Sequence, residues 1–489
     1  MSEQQNTPAL PTEERTVSAG NGAVWNCPEF KLSGIFSSHM VLQRDKPIRV
    51  WGFSRYPGST VTGEFMGETV RATVTEAAPA DGRWTLTFPP HAYTREPQRM
   101  VIRDESGHEA VLEDILIGDV WLIGGQSNAM TPSVEFSEED NFRLFTQTQA
   151  FVAANQMYCE QPQLDIINPA WCWKRPGREA SLEFSAMGWY FARELTKQID
   201  VPLGLVMICA GGACIRELIP EELAHAQGYL CGANVREAGY YNALIHPLEG
   251  LAFTAQLFFQ GESEGGERAL AEKYAYELAL LVADERQRFA TGFPFYNVQL
   301  SSYREEGAAF FPWLDIIRMQ QFDAQRLIPD STLTVDMDLG APEGYPDWAH
   351  SPRKLELAER LAALVLARQY GIGNEREVVS PMPAAAYRAA DGKSVTVEFE
   401  NVGAGLTVGG HDPADSLGME VAGFSVGAYD YRTPARATVT SRCAVTVEIP
   451  ENAPDVSHVS YAFFRVVTPE NATLRGGNNL PAPAFSLAL

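Results

Sequence analysis

The stretch GDVWLIGGQSNAM, residues 118–130, decides how the chain is read. Val120, Trp121, Leu122 and Ile123 form a continuous apolar run, which suits a strand buried on both faces of a parallel sheet. Gly124 and Gly125 follow, then Gln126, Ser127 and Asn128. A serine on a tight turn just past such a strand is held rigidly beside the crevice where open α/β sheets bind ligands, as a nucleophile must be. The glycines permit the turn. The tetrapeptide lacks the GxSxG spacing, however, and taken alone it reads first as a helix cap.

Working outward, LGLVMICAGG (203–212), AQLFFQGE (255–262), FPFYNVQL (293–300) and TLTVDMDLG (332–340) repeat the buried-strand pattern. Amphipathic stretches at 184–198, 268–289, 313–326 and 352–370 alternate with them, and the last carries Leu355, Leu357, Leu361, Leu364 and Val365 near i, i+3, i+4 spacing. This alternation predicts an α/β domain over 118–375 with a parallel sheet and crossover helices. Short alternating runs on either side, IRVWGF (48–53) and QRMVIRD (98–104) before it, SVTVEFE (394–400) and AVTVEI (444–449) after it, predict all-β modules over 30–117 and 376–489. Residues 1–29 read as a flexible, polar N-terminal segment.

The composition narrows the function. A chain of 489 residues with 45% hydrophobic and 20% charged residues folds into two or three domains. Its formal net charge of −24 repels phosphate backbones and anionic bilayers, so no nucleic-acid or membrane partner is expected. Seven cysteines without a CxxC pair argue against a disulfide scaffold. The start of the chain carries neither the basic nor the apolar part of a secretory signal, and the expected location is the cytoplasm.

Four strand ends carry chemistry. Besides Ser127, Gly211-Gly212 can present an N–H to an oxyanion, or simply turn the chain. Gln260-Gly261-Glu262-Ser263-Glu264 offers a carboxylate, as an acid partner or as the solvated start of a helix. Asp347-Trp348-Ala349-His350 precedes the last helix: a histidine is the natural base near neutral pH, and an Asp three residues earlier can fix its tautomer. His246, in YNALIHPL, reads as a structural histidine. A metal set of Asp336, Asp338, Asp347 and His350 lacks HExxH or Cys/His spacing, and neither GxGxxG nor a Walker sequence occurs, so no metal or cofactor is expected.

Taken in order, these blocks resemble the sialate O-acetylesterase family, SGNH-type carbohydrate esterases. The resemblance covers nearly the whole chain and rests on MVLQRDKPIRVWG (40–52), GDVWLIGGQSNAM (118–130), FSAMGWYFAREL (184–195), YNALIHPL (241–248), FFQGES (258–263), the His350 segment and NNLPAPAF (478–485). It implies a flavodoxin-like, three-layer α/β/α catalytic domain flanked by β-sandwich modules. It further implies a metal-independent serine esterase that removes O-acetyl groups from mono- or oligosaccharides. Ser127 matches the nucleophile, His350 the base, and Ser127 with Gly212 the oxyanion hole. The acid is either Asp347 or Glu262. Gln126, Asn128 and Gln260 fall in the matching blocks as substrate-binding candidates, and Arg216 is a further substrate-binding candidate.

Two positions depart from the family pattern. Glu264 stands where an Asn usually donates to the oxyanion, and an ionised carboxylate cannot donate. Arg216 stands where an acid is usual; it could bind a substrate carboxylate, but pairing with Glu264 or Glu217 is the favoured expectation. The other readings are an esterase of acetylated xylo-, manno- or xyloglucan oligosaccharides, and a decayed esterase that only binds sugar.

Overall fold

The computed structural model describes residues 28–77, 80–132, 136–137, 139–146, 158–168, 170–226, 237–289, 291–428, 431–453 and 455–489. Cys27, Cys231 and nearly all of the expected flexible segment lie outside the described residues. The chain divides into two compact units, one comprising Met1–Ser33, Arg49–Phe88 and Arg99–Leu112, the other Gly34–Ile48, Pro89–Gln98 and Glu113–Leu489.

The first unit is built of antiparallel strands, as its alternating sequence requires. Thr60–Phe65 pairs with Glu68–Thr73 and, on its other edge, with residues 100–104. Val61 and Phe65 point inward at alternate positions and are buried with Trp84, Leu86 and Phe88.

The second unit holds the parallel sheet. Its strands are β1 (Glu109–Gly125, entering from the first unit), β2 (Arg143–Thr146), β3 (Leu203–Cys209), β4 (Ala255–Phe259), β5 (Phe295–Gln299) and β6 (Ser331–Val335). They lie in the order β2-β3-β1-β4-β5-β6, and every neighbouring pair is parallel. Every residue of β3, β4 and β5 is buried, which is why their sequences show no alternation. The crossovers supply α1 (Ala186–Thr196), α2 (Tyr274–Arg288) and α3 (Leu314–Leu327), and α4 (Lys354–Tyr370) follows β6. Helix α1 packs on α4 and α2 on α3. Helix α1 begins where Ser185 accepts a hydrogen bond from the Gly188 N–H at 3.0 Å, an N-cap contact that fixes its start.

The antiparallel strands after residue 380 share a core with this sheet. Met319 and Phe322 of α3, Leu333 and Val335 of β6, and Met337 pack in one buried cluster with Val395, Val397, Phe399, Phe424 and Phe485. Polar stitches cross the same boundary. The Gln299 side chain pairs with both backbone groups of Ala484 at 2.9 Å. The fully buried Arg318 donates to the carbonyls of Leu300, Ser301 and Phe464 at 3.1, 2.7 and 3.0 Å.

Candidate active site

The register of the sheet brings the sequence-predicted segments together. Gly125 at the end of β1 lies opposite Cys209 of β3 and Phe259 of β4. The segments that follow these three strands, around Ser127, Gly211 and Glu262, therefore leave the sheet side by side. Two hydrogen bonds fasten the exits: Ala210 N–H to Gly125 O at 3.1 Å and Gln126 N–H to Phe259 O at 3.2 Å. Gly125 has φ +137°, and a Cβ there would lie 2.1 Å from Phe259 O, so only glycine fits between the strands.

Ser127 opens a four-residue helix, Ser127–Met130, and is half-buried, while its neighbours Gln126 and Asn128 are almost fully buried. At the first helical position its N–H has no intrahelical acceptor. Gly212 (φ +74°) is exposed, and a Cβ added to it would meet nothing within 4 Å. On the adjacent Gly211 a Cβ would lie 3.8 Å from Met130 Sδ. The glycine turn thus borders the serine helix and offers an unobstructed backbone.

Asn128 ties the serine to the rest of the site. Its Nδ2 lies 2.6 Å from Glu262 Oε1, 3.0 Å from the Ala349 carbonyl and 3.1 Å from Tyr303 OH. Its Oδ1 accepts from Lys354 Nζ at 2.7 Å. One side chain, adjacent to Ser127, therefore anchors the loop that ends in His350.

Of the two candidate acids, Asp347 contacts His350, the candidate base. Its Oδ2 is 2.8 Å from His350 Nδ1, and its Oδ1 accepts from the N–H groups of Ala349 and His350 at 2.9 and 3.1 Å. Burial works to raise the Asp347 carboxyl, but the His350 contact and the two backbone donors outweigh it and leave it below the usual range. The His350 ring remains 30% exposed, open to a substrate. Glu262 is instead buried at 1%, held by Asn128 and by Tyr303 OH at 3.3 Å, with Oε2 lacking a partner among the described residues. Burial raises its pKa, against the pull of Asn128 and of the Lys354 and His350 charges.

The remaining candidates are engaged inside the protein. Gln126 Oε1 is 3.2 Å from Gln260 Nε2 and 3.3 Å from the Ser263 N–H. Gln260 Nε2 also reaches the Ala213 carbonyl at 2.9 Å and Glu264 Oε2 at 2.6 Å. Both side chains brace the three strand exits. The expected pairing of Arg216 with Glu264 or Glu217 is corrected: Arg216 is buried and its Nε and Nη2 hold Glu277 Oε1 at 3.0 and 2.7 Å. Glu277 lies on α2, 61 residues away, too far for sequence neighbourhood to show. Glu217 accepts from the Cys214 N–H at 2.9 Å, and Glu264 from the Ile215 N–H at 2.6 Å. Burial pushes the Glu264 carboxyl up to about 8, against the pull of the Ile215 N–H and the Gln260 side chain.

The carboxylates of the metal alternative have separate partners. Asp336 receives Ser301 Oγ, Asp338 is clasped by Arg360 and Arg475 at 2.7 and 3.0 Å, and Asp347 holds His350. His246 Nδ1 lies 2.7 Å from the Gln163 carbonyl.

Two residues escaped the sequence reading. Tyr303 follows β5, the fourth strand whose end reaches this region. Lys354 is fully within the apolar face of α4 with Leu357, Ala358 and Leu361, all buried. A lysine in register with an apolar stripe four residues after His350 was the available signal. Its Nζ lies 4.9 Å from the centre of the Phe259 ring, and burial lowers its pKa against the pull of Asp336, Glu262 and Asp347.

Known proteins share this arrangement of sequence. A sialate O-acetylesterase of Mus musculus is 26% identical over 406 residues, covering 71% of this chain and 74% of its own. The human sialate O-acetylesterase is 26% identical over 380 residues, covering 71% and 72%. A carbohydrate acetylesterase from Xanthomonas citri superposes with a TM-score of 0.76 at 26% identity, over 94% of this chain and 99% of that one. Residues 117–366 match the family described as carbohydrate esterase, sialic acid-specific acetylesterase, and the chain belongs to that family.

Proposed function

We propose that this carbohydrate esterase releases acetate from O-acetylated sugars through Ser127, with His350 as base and Asp347 as the acid that orients it. The observation that carries the reading is the Asn128 side chain, which joins the serine helix to the carbonyl before His350, while Asp347 holds the histidine ring. In the reaction, His350 Nε2 takes the Ser127 proton as Oγ bonds to the acetyl carbonyl carbon. The oxyanion is met by the N–H groups of Ser127 and Gly212. The carbon–oxygen bond to the sugar then breaks, and the sugar oxygen leaves with the proton from His350. Water, deprotonated by His350, attacks the acetyl-serine; the serine oxygen regains its proton and acetate departs.

In this reading Glu262, Asn128, Gln126, Gln260 and Lys354 are positioning residues, and Arg216 braces the glycine turn through Glu277. The catalytic domain has the three-layer SGNH arrangement. Its support is the β3-β1-β4-β5-β6 order, a flavodoxin-like sequence of parallel strands in which the crossover direction reverses at β1, beside the serine.

The test is acetate release from acetylated oligosaccharides by wild type, Ser127→Ala and His350→Ala. Each substitution lowers kcat by at least about 10³-fold with the thermal transition retained. Near wild-type kcat in either variant overturns the assignment.

A further inference from the structure

We propose that Phe310 and Trp348 form a stacking platform for an uncharged pyranose ring, so that the preferred substrates are acetylated neutral sugars rather than acidic ones. This rests on the Ser127 and His350 reading above.

Phe310 is a large aromatic residue with 72% of its surface in water. It is not isolated. Its ring stacks on Trp348 at 5.7 Å between centroids and 22° between planes. Trp348 meets Tyr303 edge-on at 5.8 Å and 72°, and Phe311 packs on Tyr303 at 6.0 Å. Tyr303 OH is 3.1 Å from Asn128, the residue after Ser127. Trp348 itself lies between Asp347 and His350. A continuous set of aromatic rings therefore runs from Tyr303, in contact with Asn128, past the loop that carries Asp347 and His350, to the exposed ring of Phe310.

Such a face suits a pyranose, whose axial C–H bonds form an apolar side that packs on the electron-rich face of an aromatic ring. The acetyl group would then project toward Ser127 and His350. The surrounding charge selects against an acidic sugar. Glu305 and Glu306 share the short helix Glu305–Phe310 with the platform, and both are exposed. Glu343 and Asp347 are exposed in the loop that carries Trp348. The nearby cation Arg304 has Glu306 at 4.0 Å, and Arg216, the residue placed to greet a carboxylate, is buried on Glu277. A sialic acid carboxylate entering here meets like charge.

The experiment measures kcat and KM for acetate release from partially acetylated xylotetraose and from 9-O-acetyl-N-acetylneuraminic acid, using wild type, Phe310→Ala, Trp348→Ala and Phe310→Tyr. Leu417→Ala, an exposed apolar residue in the C-terminal strand region, serves as control. Wild type is expected to show at least tenfold higher kcat/KM on the neutral ester. Phe310→Ala and Trp348→Ala raise its KM by about five- to tenfold, Phe310→Tyr restores it, and Leu417→Ala leaves it unchanged. A higher kcat/KM on the sialic ester, or an unaltered KM in Phe310→Ala, overturns the proposal while leaving the esterase reading standing. Failure of wild type to release acetate from either sugar overturns the esterase reading itself, and this proposal with it.

Discussion

Asp347 and Glu262 are carboxylates in the same site, and their surroundings separate them. Asp347 is half in water and in contact with His350, where a carboxylate stabilises the imidazolium formed during proton transfer. Glu262 is shut away among Asn128 and Tyr303, where its effect on the histidine is indirect. Replacing Asp347 by Asn is predicted to lower kcat on the order of 10²–10⁴-fold, the range of general acid–base assistance, with the melting temperature nearly kept. Glu262→Gln should shift the melting temperature and change kcat less than tenfold. Steady-state kinetics and thermal denaturation on the two variants decide between them, and the reverse ranking would make Glu262 the acid.

At the scale of elements, the site depends on how closely three strand exits approach. Gly125→Ala would place a methyl group 2.1 Å from the Phe259 carbonyl at a left-handed φ, so a loss of about 3 kcal/mol or more is expected in denaturant unfolding. Gly212→Ala meets only the conformational penalty of its φ, about 1–2 kcal/mol, because space around it is open. Much of this was legible beforehand. β3, β4, β5 and all four long helices occupy the runs marked by apolar continuity and helical spacing, and their ends carry the residues picked for chemistry. What was not legible has a physical reason. β2 is four residues long, too short for its pattern to stand out. The run at 332–340 reads as one strand, but Asp336 turns out of the β region at φ −115°, ψ 3°, and a 3₁₀ turn follows. Partners such as Arg216 with Glu277, or Asn128 with Lys354, are set by tertiary packing across 61 and 226 residues, which spacing alone does not encode.

For the whole molecule, the buried carboxyls set the response to pH. Burial pushes both Glu264 and Glu285 from 4.5 up to about 8. A carboxyl raised on folding contributes stability that is complete below its unfolded value and is lost as pH climbs through the folded one. Stability should therefore fall between about pH 5 and pH 9, and Glu285→Gln should flatten that fall in thermal melts; an unchanged profile would show that Glu285 is already ionised in the fold. The shared core predicts a second behaviour. Removing residues 376–489 would expose Phe322, Leu333 and Val335 and take away the Phe464 acceptor of Arg318 and the Ala484 partners of Gln299, so the remaining fragment should lose its cooperative transition. A fragment 1–375 that melts like the full chain would mean the C-terminal strands only decorate the sheet.

In the proposed reaction Ser127 forms the bond to the acyl carbon, and a covalent trap reads this step directly. Treating the full chain with a fluorophosphonate and digesting it for peptide mass spectrometry should place a single phosphonyl adduct on Ser127, formed in step with the loss of acetate release and absent from Ser127→Ala. An enzyme that loses activity with the adduct elsewhere, or that keeps releasing acetate after Ser127 is fully modified, would show that Ser127 is not the nucleophile.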